Sequence, residues 1–252
     1  MVTGAPKRLS RIVSLASAMT LGLAAIMPTS TMAAAYASPQ PPASHWITST
    51  NYRYPGNDGK HHAVSWDKYS YMIDDHHLNI WSGEVHYWRL PSPHQWRDVL
   101  QKMKAAGFNA VSFYFFWGYH QSAPDSPFDF SGIRNIDLLL RMAAEEGLYV
   151  IARPGPYINA EISMGGMPAW QTNSSLPLRN AWDNTNWQQQ RAWLHAVNKI
   201  IARHQVTNGG GSVLLYQVEN EELASVGPYA DYVKKIIKAC LLYTSDAADE
   251  RS

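Results

Sequence analysis

Three carboxylates and an amide stand together in Glu219-Asn220-Glu221-Glu222, directly after the apolar run Leu214-Leu215-Tyr216-Gln217-Val218. Four to eight apolar residues bounded by turn signals is strand length, and Gly209-Gly210-Gly211 supplies the turn. Acids crowded at the end of a buried strand must be solvated, paired or used. A positioned carboxyl group can give a proton to a leaving oxygen and later take one from water. The same residue types also serve as helix caps or solvated acids, and taken alone they leave these readings open. Glu219 reads as facing away along the strand, and Glu222 as a residue of the following loop. Glu84 reads as one half of an internal ion pair, with Arg89 or Arg153 as the other. The pairs His61-His62 and His76-His77 do not read as metal ligands, because adjacent strand residues point to opposite faces. No His-x-x-x-His or Cys-x-x-Cys spacing supports a metal site, so neither metal nor cofactor is expected.

The elements that must hold these acids alternate regularly. An alternating stretch from Trp66 to Ile73 meets Asp74-Asp75 and resumes from Leu78 through Val85, a hairpin leading into a first core strand. Leu90-Pro91-Ser92-Pro93 then opens a helix with Trp96, Val99, Leu100 and Met103 at helical spacing, closed by Gly107. Strand 110–116 follows, then a helix from Ile133 with Ile136, Leu140 and Ala143 on one face. Strand 148–152 breaks at Arg153-Pro154-Gly155-Pro156, and a long excursion reaches a helix over 186–203. Strand 212–218 and a helix over 229–239 complete a fourth unit. Strand followed by helix, four times over, means parallel strands with right-handed crossovers. An open doubly wound sheet and half of an eight-stranded barrel both satisfy this. No strand is followed by Gly-x-Gly-x-x-Gly and no phosphate loop is present, which favours an α/β fold of the (β/α)8 TIM-barrel type, cut after about the fourth unit. In such a barrel, sites form at the carboxyl ends of the strands, where the acids stand.

Composition narrows the partners. The net charge of +1 turns to −2 once Lys7, Arg8 and Arg11 are set aside, which gives no electrostatic footprint for nucleic acid or a membrane surface. Those three residues belong to the basic start of a segment with an apolar run from Ile12 to Met27 and small residues up to Ala37. That is the pattern of a secretory signal over residues 1–37, and it implies a secreted, extracellular protein. Pro39-Gln40-Pro41-Pro42 reads as a linker, with residues 38–65 leading into the barrel half at 66–239. Asn173-Ser174-Ser175 is a glycosylation sequon, making Asn173 the candidate acceptor on an expected loop. One cysteine, Cys240, allows no internal disulfide framework. Ten Trp and fourteen Tyr suit a sugar cleft, whose flat rings cover the apolar faces of pyranoses, although most of them must be core. Trp117 and Trp170 are candidates for either place.

Taken in order, Ser82-Gly83-Glu84-Val85-His86-Tyr87, Arg89-Leu90-Pro91, Val111-Ser112-Phe113-Tyr114, Arg153-Pro154-Gly155-Pro156-Tyr157-Ile158-Asn159-Ala160-Glu161 and Glu219-Asn220-Glu221 resemble glycoside hydrolase family 35 β-galactosidases, particularly secreted fungal ones. The resemblance covers roughly Trp66 to Ala239. It implies a retaining exo-glycosidase that removes terminal non-reducing β-galactosyl residues from oligosaccharides or polysaccharides. It also implies Glu221 as general acid/base and Asn220 as the residue that hydrogen-bonds the sugar 2-hydroxyl. Tyr114, Asn159, Ala160 and Glu161 fall on positions that hold the terminal galactose. A general acid of this kind is kept protonated by apolar surroundings and by the charge of a second carboxylate. A barrel glycosidase for another β-linked sugar, or a non-catalytic carbohydrate-binding barrel, are the alternatives.

Two departures from the family stand out. The family's nucleophile is a second Glu near the end of the seventh strand, and no residue here matches it, so the chain by itself is expected to be inactive. After Ala239 the residues Cys240-Leu241-Leu242-Tyr243-Thr244-Ser245-Asp246-Ala247-Ala248-Asp249-Glu250 resemble the in-frame translation of a transposase adapter used in sequencing libraries. Residues 240–252 are therefore expected to be a non-native tail.

Overall fold

The computed structural model describes residues 58–173, 178–182, 184–222 and 228–249. Residues 1–37, expected to be a secretory signal, and the expected Pro-rich linker lie outside the described residues.

The chain opens with a small antiparallel meander, β1 (Val64–Trp66), β2 (Tyr71–Ile73) and β3 (His76–Leu78). Its second turn is Asp74-Asp75, with φ of 50° and 63°. Two consecutive positive φ values define the tight hairpin turn whose twist matches its strands, and aspartate tolerates them better than most residues. The sequence suggested one hairpin; the added strand β1 lies partly in the expected lead-in. The segment before it is tied down as well, since Gly59 N donates to Gly209 O at 3.0 Å.

Four parallel strands follow: β4 (Ser82–Glu84), β5 (Ala110–Tyr114), β6 (Tyr149–Arg153) and β7 (Val213–Tyr216), hydrogen-bonded in the order β4-β5-β6-β7. Each new strand joins on the same side as the last. A doubly wound sheet must reverse at a switch point, and no reversal occurs here, so the sheet follows the path of a barrel wall. The helices α1 (Pro93–Ala105), α3 (Ile136–Glu145), α4 (Asn184–Arg203) and α5 (Pro228–Asp249) alternate with the strands, and a short α2 (Trp117–His120) follows β5. Ser92 caps α1 by accepting from Gln95 N at 3.3 Å, with Pro93 in the first turn; Asn135 caps α3 through Leu138 N at 2.8 Å. Helix α5 continues through residues 240–249, past the expected end at Ala239.

The period of two along β5 divides its side chains between two environments. Val111 and Phe113 join Val150, Ala152 and Val213 in a core with Trp96, Leu100, Leu139, Leu140, Leu194, Val197, Tyr232 and Ile236 of the helices. Ala110, with Tyr149 and Leu214, packs against Ile73, Leu78 and Val206. The meander thus plugs the amino-terminal end of the strands. Tyr114, on the same face as Ala110 but at the other end of β5, packs with Ile158 and Ala160 instead. One end of the inner face is closed by apolar packing, and the opposite end carries the polar residues.

Trp117 belongs to the core. It is fully buried, stacked on Trp193 (6.3 Å, 7°) and edge-on to Trp170 (5.7 Å), with Nε1 donating to Gln121 Oε1 at 2.8 Å. Of the two tryptophans considered for the sugar cleft, only the half-buried Trp170 stays near the surface.

Candidate active site

Glu84, Tyr114 and Arg153 end β4, β5 and β6, and the acidic stretch follows β7. Arg153 is the hub. Its Nη1 donates to Glu84 Oε2 at 2.7 Å and its Nη2 to Asn220 Oδ1 at 3.1 Å, while the guanidinium lies 3.7 Å from the centre of the Tyr114 ring. Arg153, rather than Arg89, is therefore the partner of Glu84. Arg89 acts one step away: Nε donates to His86 Nδ1 at 3.0 Å, which obliges His86 Nε2 to carry the proton it gives to Glu84 Oε1 at 2.7 Å. Its Nη2 donates to Ala160 O at 3.0 Å and fixes the loop after β6.

Asn220 is 2% exposed and tightly oriented. Its Oδ1 accepts from Tyr114 Oη at 3.2 Å, from Arg153 Nη2 at 3.1 Å and from Gln217 Nε2 at 3.3 Å. Three donors on one oxygen leave no ambiguity about which end of the amide is which. The Nδ2 group is buried and has no partner among the described residues. A buried unpaired donor costs free energy unless something accepts from it.

Glu221 and Glu161 are exposed. Both lie within electrostatic reach of the Tyr114 hydroxyl, whose pKa burial raises; Arg153 pulls it down, and Glu84, Glu221 and Glu161 push it further up. The apolar enclosure expected around Glu221 is not supplied by the described residues, and β7 is the outer strand of the four. Asn159, Ala160 and Glu161 take φ of 55°, 50° and 45°, three successive left-handed residues without a glycine. Each costs about 1 kcal/mol or more, so the surrounding contacts must over-determine the loop. Ile158 N donates to Gly165 O at 2.7 Å, and Ala160 is buried against Tyr114. The loop candidates and Tyr114 are thereby brought to one place. Asn173 ends a 3-10 turn (Ala169–Asn173) rather than a loop; its side chain, Ser174 and Ser175 lie outside the described residues.

Glu219 departs from the expectation that it faces away. It is 3% exposed and bound by Arg179, with Arg179 Nε on Oε1 at 3.1 Å and Nη2 on Oε2. Burial pushes its carboxyl up to about 7, against the opposing pull of Arg179. Glu222 meets the same arginine at 3.0 Å. Arg179 carries no sequence signal because its partners lie about forty residues away. Gln217 is likewise hidden inside the apolar run. Beside Arg179 an open cleft of about 670 Å³ is lined by Tyr157, Ile162, Met164, Leu178, Glu222 and Tyr229, among others. Among the described residues no group of three His, Cys, Asp or Glu side chains is placed to hold a metal ion, and no helix is long and apolar enough to cross a membrane.

Residues 70–249 match the sequence profile of the family described as "Glycosyl hydrolases family 35". A "Probable beta-galactosidase C" from Aspergillus clavatus is 49% identical over 164 residues, 65% of this chain and 16% of the relative. Another from Penicillium rubens is 39% identical over 206 residues, 81% of this chain and 20% of the relative. The chain thus spans about a sixth to a fifth of the length of these relatives. Among solved structures, GH5_18 from Streptomyces cattleya in complex with GlcNAc aligns with a TM-score of 0.50 at 19% identity, covering 64% of this chain and 41% of that one. At that identity the likeness concerns the fold alone.

Proposed function

This chain belongs to glycosyl hydrolases family 35, and from that premise we propose that the protein it comes from hydrolyses terminal non-reducing β-D-galactosyl residues with retention. The observation that carries the reading is the orientation of Asn220. With Oδ1 occupied by three donors, its unpartnered Nδ2 remains for a sugar hydroxyl, immediately next to Glu221 in sequence.

Retaining hydrolysis needs two carboxyl groups about 5–5.5 Å apart, one to protonate the leaving oxygen and one to attack the anomeric carbon. Glu221 takes the first role. It donates its proton as the glycosidic bond breaks, then removes one from the water that releases the sugar. Asn220 donates to the 2-hydroxyl, a hydrogen bond that strengthens as positive charge develops on the ring. Tyr114 and Arg153 act on the same amide by fixing its direction before substrate arrives, which lowers the cost of orientation. Asn159, Ala160 and Glu161 contribute to the galactose subsite, where an ionised Glu161 accepts hydroxyl hydrogen bonds more strongly than a neutral group would. The attacking carboxylate comes from a part of the parent protein outside this chain, and the chain alone is inactive.

The protein is secreted after removal of residues 1–37 and is glycosylated at Asn173. The substrates are β-galactoside oligosaccharides or polysaccharides; no cofactor and no nucleic acid take part. We also propose that residues 240–252 are a non-native tail, on the resemblance of their sequence to an adapter translation and against a family match that runs on to residue 249. Assay of the complete gene product on nitrophenyl β-galactoside, with proton NMR of the first-formed anomer, tests the activity. Release of β-galactose is expected. Release of the α-anomer, or turnover of β-glucosaminides in place of β-galactosides, would refute it.

A further inference from the structure

We infer that Arg179 is the positioning residue of the proton donor, acting on Glu221 through the backbone of Glu219 and Asn220. This rests on the assignment of Glu221 as general acid/base. Four observations converge on it. Arg179 binds both oxygens of Glu219, donates from Nη2 to the carbonyl oxygen of Asn220, and meets Glu222 at 3.0 Å. It therefore grips the residues on both sides of Glu221. The Glu219 carboxylate also accepts from Asn220 N at 2.5 Å, closing a ring through the backbone. Glu219 and Glu221 hold φ of 60° and 54°, left-handed conformations that the local sequence does not favour and that must be imposed from outside. Finally, the guanidinium sits 4.2 Å from the centre of the Tyr157 ring, and that ring lies against Gly165, where a Cβ would come within 2.1 Å of it. The loop after β6 thus presents a seated arginine to the loop after β7. Among the described residues Glu221 makes no comparable contact of its own, so its direction follows from the backbone that Arg179 holds.

Arginine suits this role because its planar fork reaches several acceptors in fixed geometry, which a lysine ammonium cannot do. The arrangement also explains why a carboxylate as buried as Glu219 is tolerated. It is a structural anchor, with its charge met by Arg179.

The test uses the complete gene product and two β-galactosides of different leaving group. A dinitrophenyl leaving group departs without protonation, whereas the alkoxide of a methyl β-galactoside requires it. Because kcat/KM reports the step in which the leaving group departs, a misplaced acid lowers it selectively for the methyl galactoside. Arg179→Lys is expected to lose about tenfold or more in kcat/KM on the methyl galactoside beyond its loss on the dinitrophenyl substrate, in line with the usual cost of misplacing a catalytic group. Equal losses on both substrates, or none, would overturn the inference, since general destabilisation does not distinguish leaving groups. Should Arg179→Lys fail to fold, Glu219→Gln keeps the shape and one acceptor for Arg179. The same selectivity at smaller magnitude is expected, and its absence would count against the inference. The underlying activity fails separately: then the wild-type protein cleaves neither galactoside, or Glu221→Gln shows no leaving-group selectivity.

Discussion

Replacing Arg153 with methionine removes the hub of the site while keeping much of its volume, and the structure allows the consequence to be apportioned. The contact with Glu84 contributes little, since that carboxylate is 39% exposed and such pairs are worth about 0–1 kcal/mol. The stacking on Tyr114 adds about 0.5–1 kcal/mol. The hydrogen bond from a charged donor to Asn220 Oδ1 contributes most, about 1.5–3 kcal/mol. Only this bond acts on the amide proposed to meet the sugar, so kcat/KM of the complete gene product should fall roughly 10- to 150-fold through it. A double-mutant cycle isolates this part. Asn220→Ala abolishes the target of Arg153, and in that background Arg153→Met should cost much less than it does in the wild type. The coupling, read from kcat/KM on nitrophenyl β-galactoside, should be about 1.5–3 kcal/mol. Additive losses would refute the reasoning, because they would mean that Arg153 serves the reaction by a route that bypasses Asn220.

His120 is 1% exposed, donates from Nδ1 to Asp129 O at 2.7 Å and accepts at Nε2 from the Tyr87 hydroxyl at 2.5 Å; burial lowers its pKa from 6.5 to about 4. Its folded value lies below its unfolded one, so stability is lost as pH falls from about 6.5 to about 4, by roughly 3 kcal/mol in all. His120→Asn should flatten that part of the stability–pH profile of the parent enzyme, and an unchanged slope would contradict it. Gly165→Ala places a methyl group within 2.1 Å of the Tyr157 ring at a φ of +55°. It should destabilise by about 2–4 kcal/mol, visible in urea melts, and should lower activity by unseating Arg179. Resequencing the transcript across codons 235–245 should show the native reading frame diverging at Cys240; a genomic read that continues into Leu241-Leu242-Tyr243 would contradict the reading of residues 240–252 as non-native.

Much of the fold was legible because its signals are local. Ser92-Pro93 and Gly107 mark the bounds of a helix by capping and by positive φ, and the wholly buried β5 announces itself as an apolar run broken only by Ser112, whereas the helix read from Ile133 starts at Ile136 behind the cap Asn135. The choice between barrel and open sheet was less direct, since it depends on the order in which strands pair, which the sequence expressed only through missing motifs. The first strand of the meander escaped because Val64-Ser65-Trp66 is too short to show a period. Within the candidate site, Tyr114 was legible as a strand-end residue, while Asn220 and Glu221 come from the stretch after β7, which ends at Tyr216 rather than at the expected Val218. Arg179 was not legible. A surface-sequence arginine in a long excursion looks like any other, and only the fold brings it onto a buried glutamate. The same holds for Glu219, whose alternation along the strand suggested an outward side chain. The left-handed turn at that residue sends it inward instead.

The assignment of Glu221 as the proton donor is tested most directly by Glu221→Gln in the complete gene product, measured on galactosides of graded leaving-group acidity. The variant should lose about 10²-fold or more in kcat/KM on methyl β-galactoside and retain most of it on the dinitrophenyl substrate, since only the former needs a proton. A loss of equal size across the series, or full activity on the methyl galactoside, would show that the proton comes from another residue.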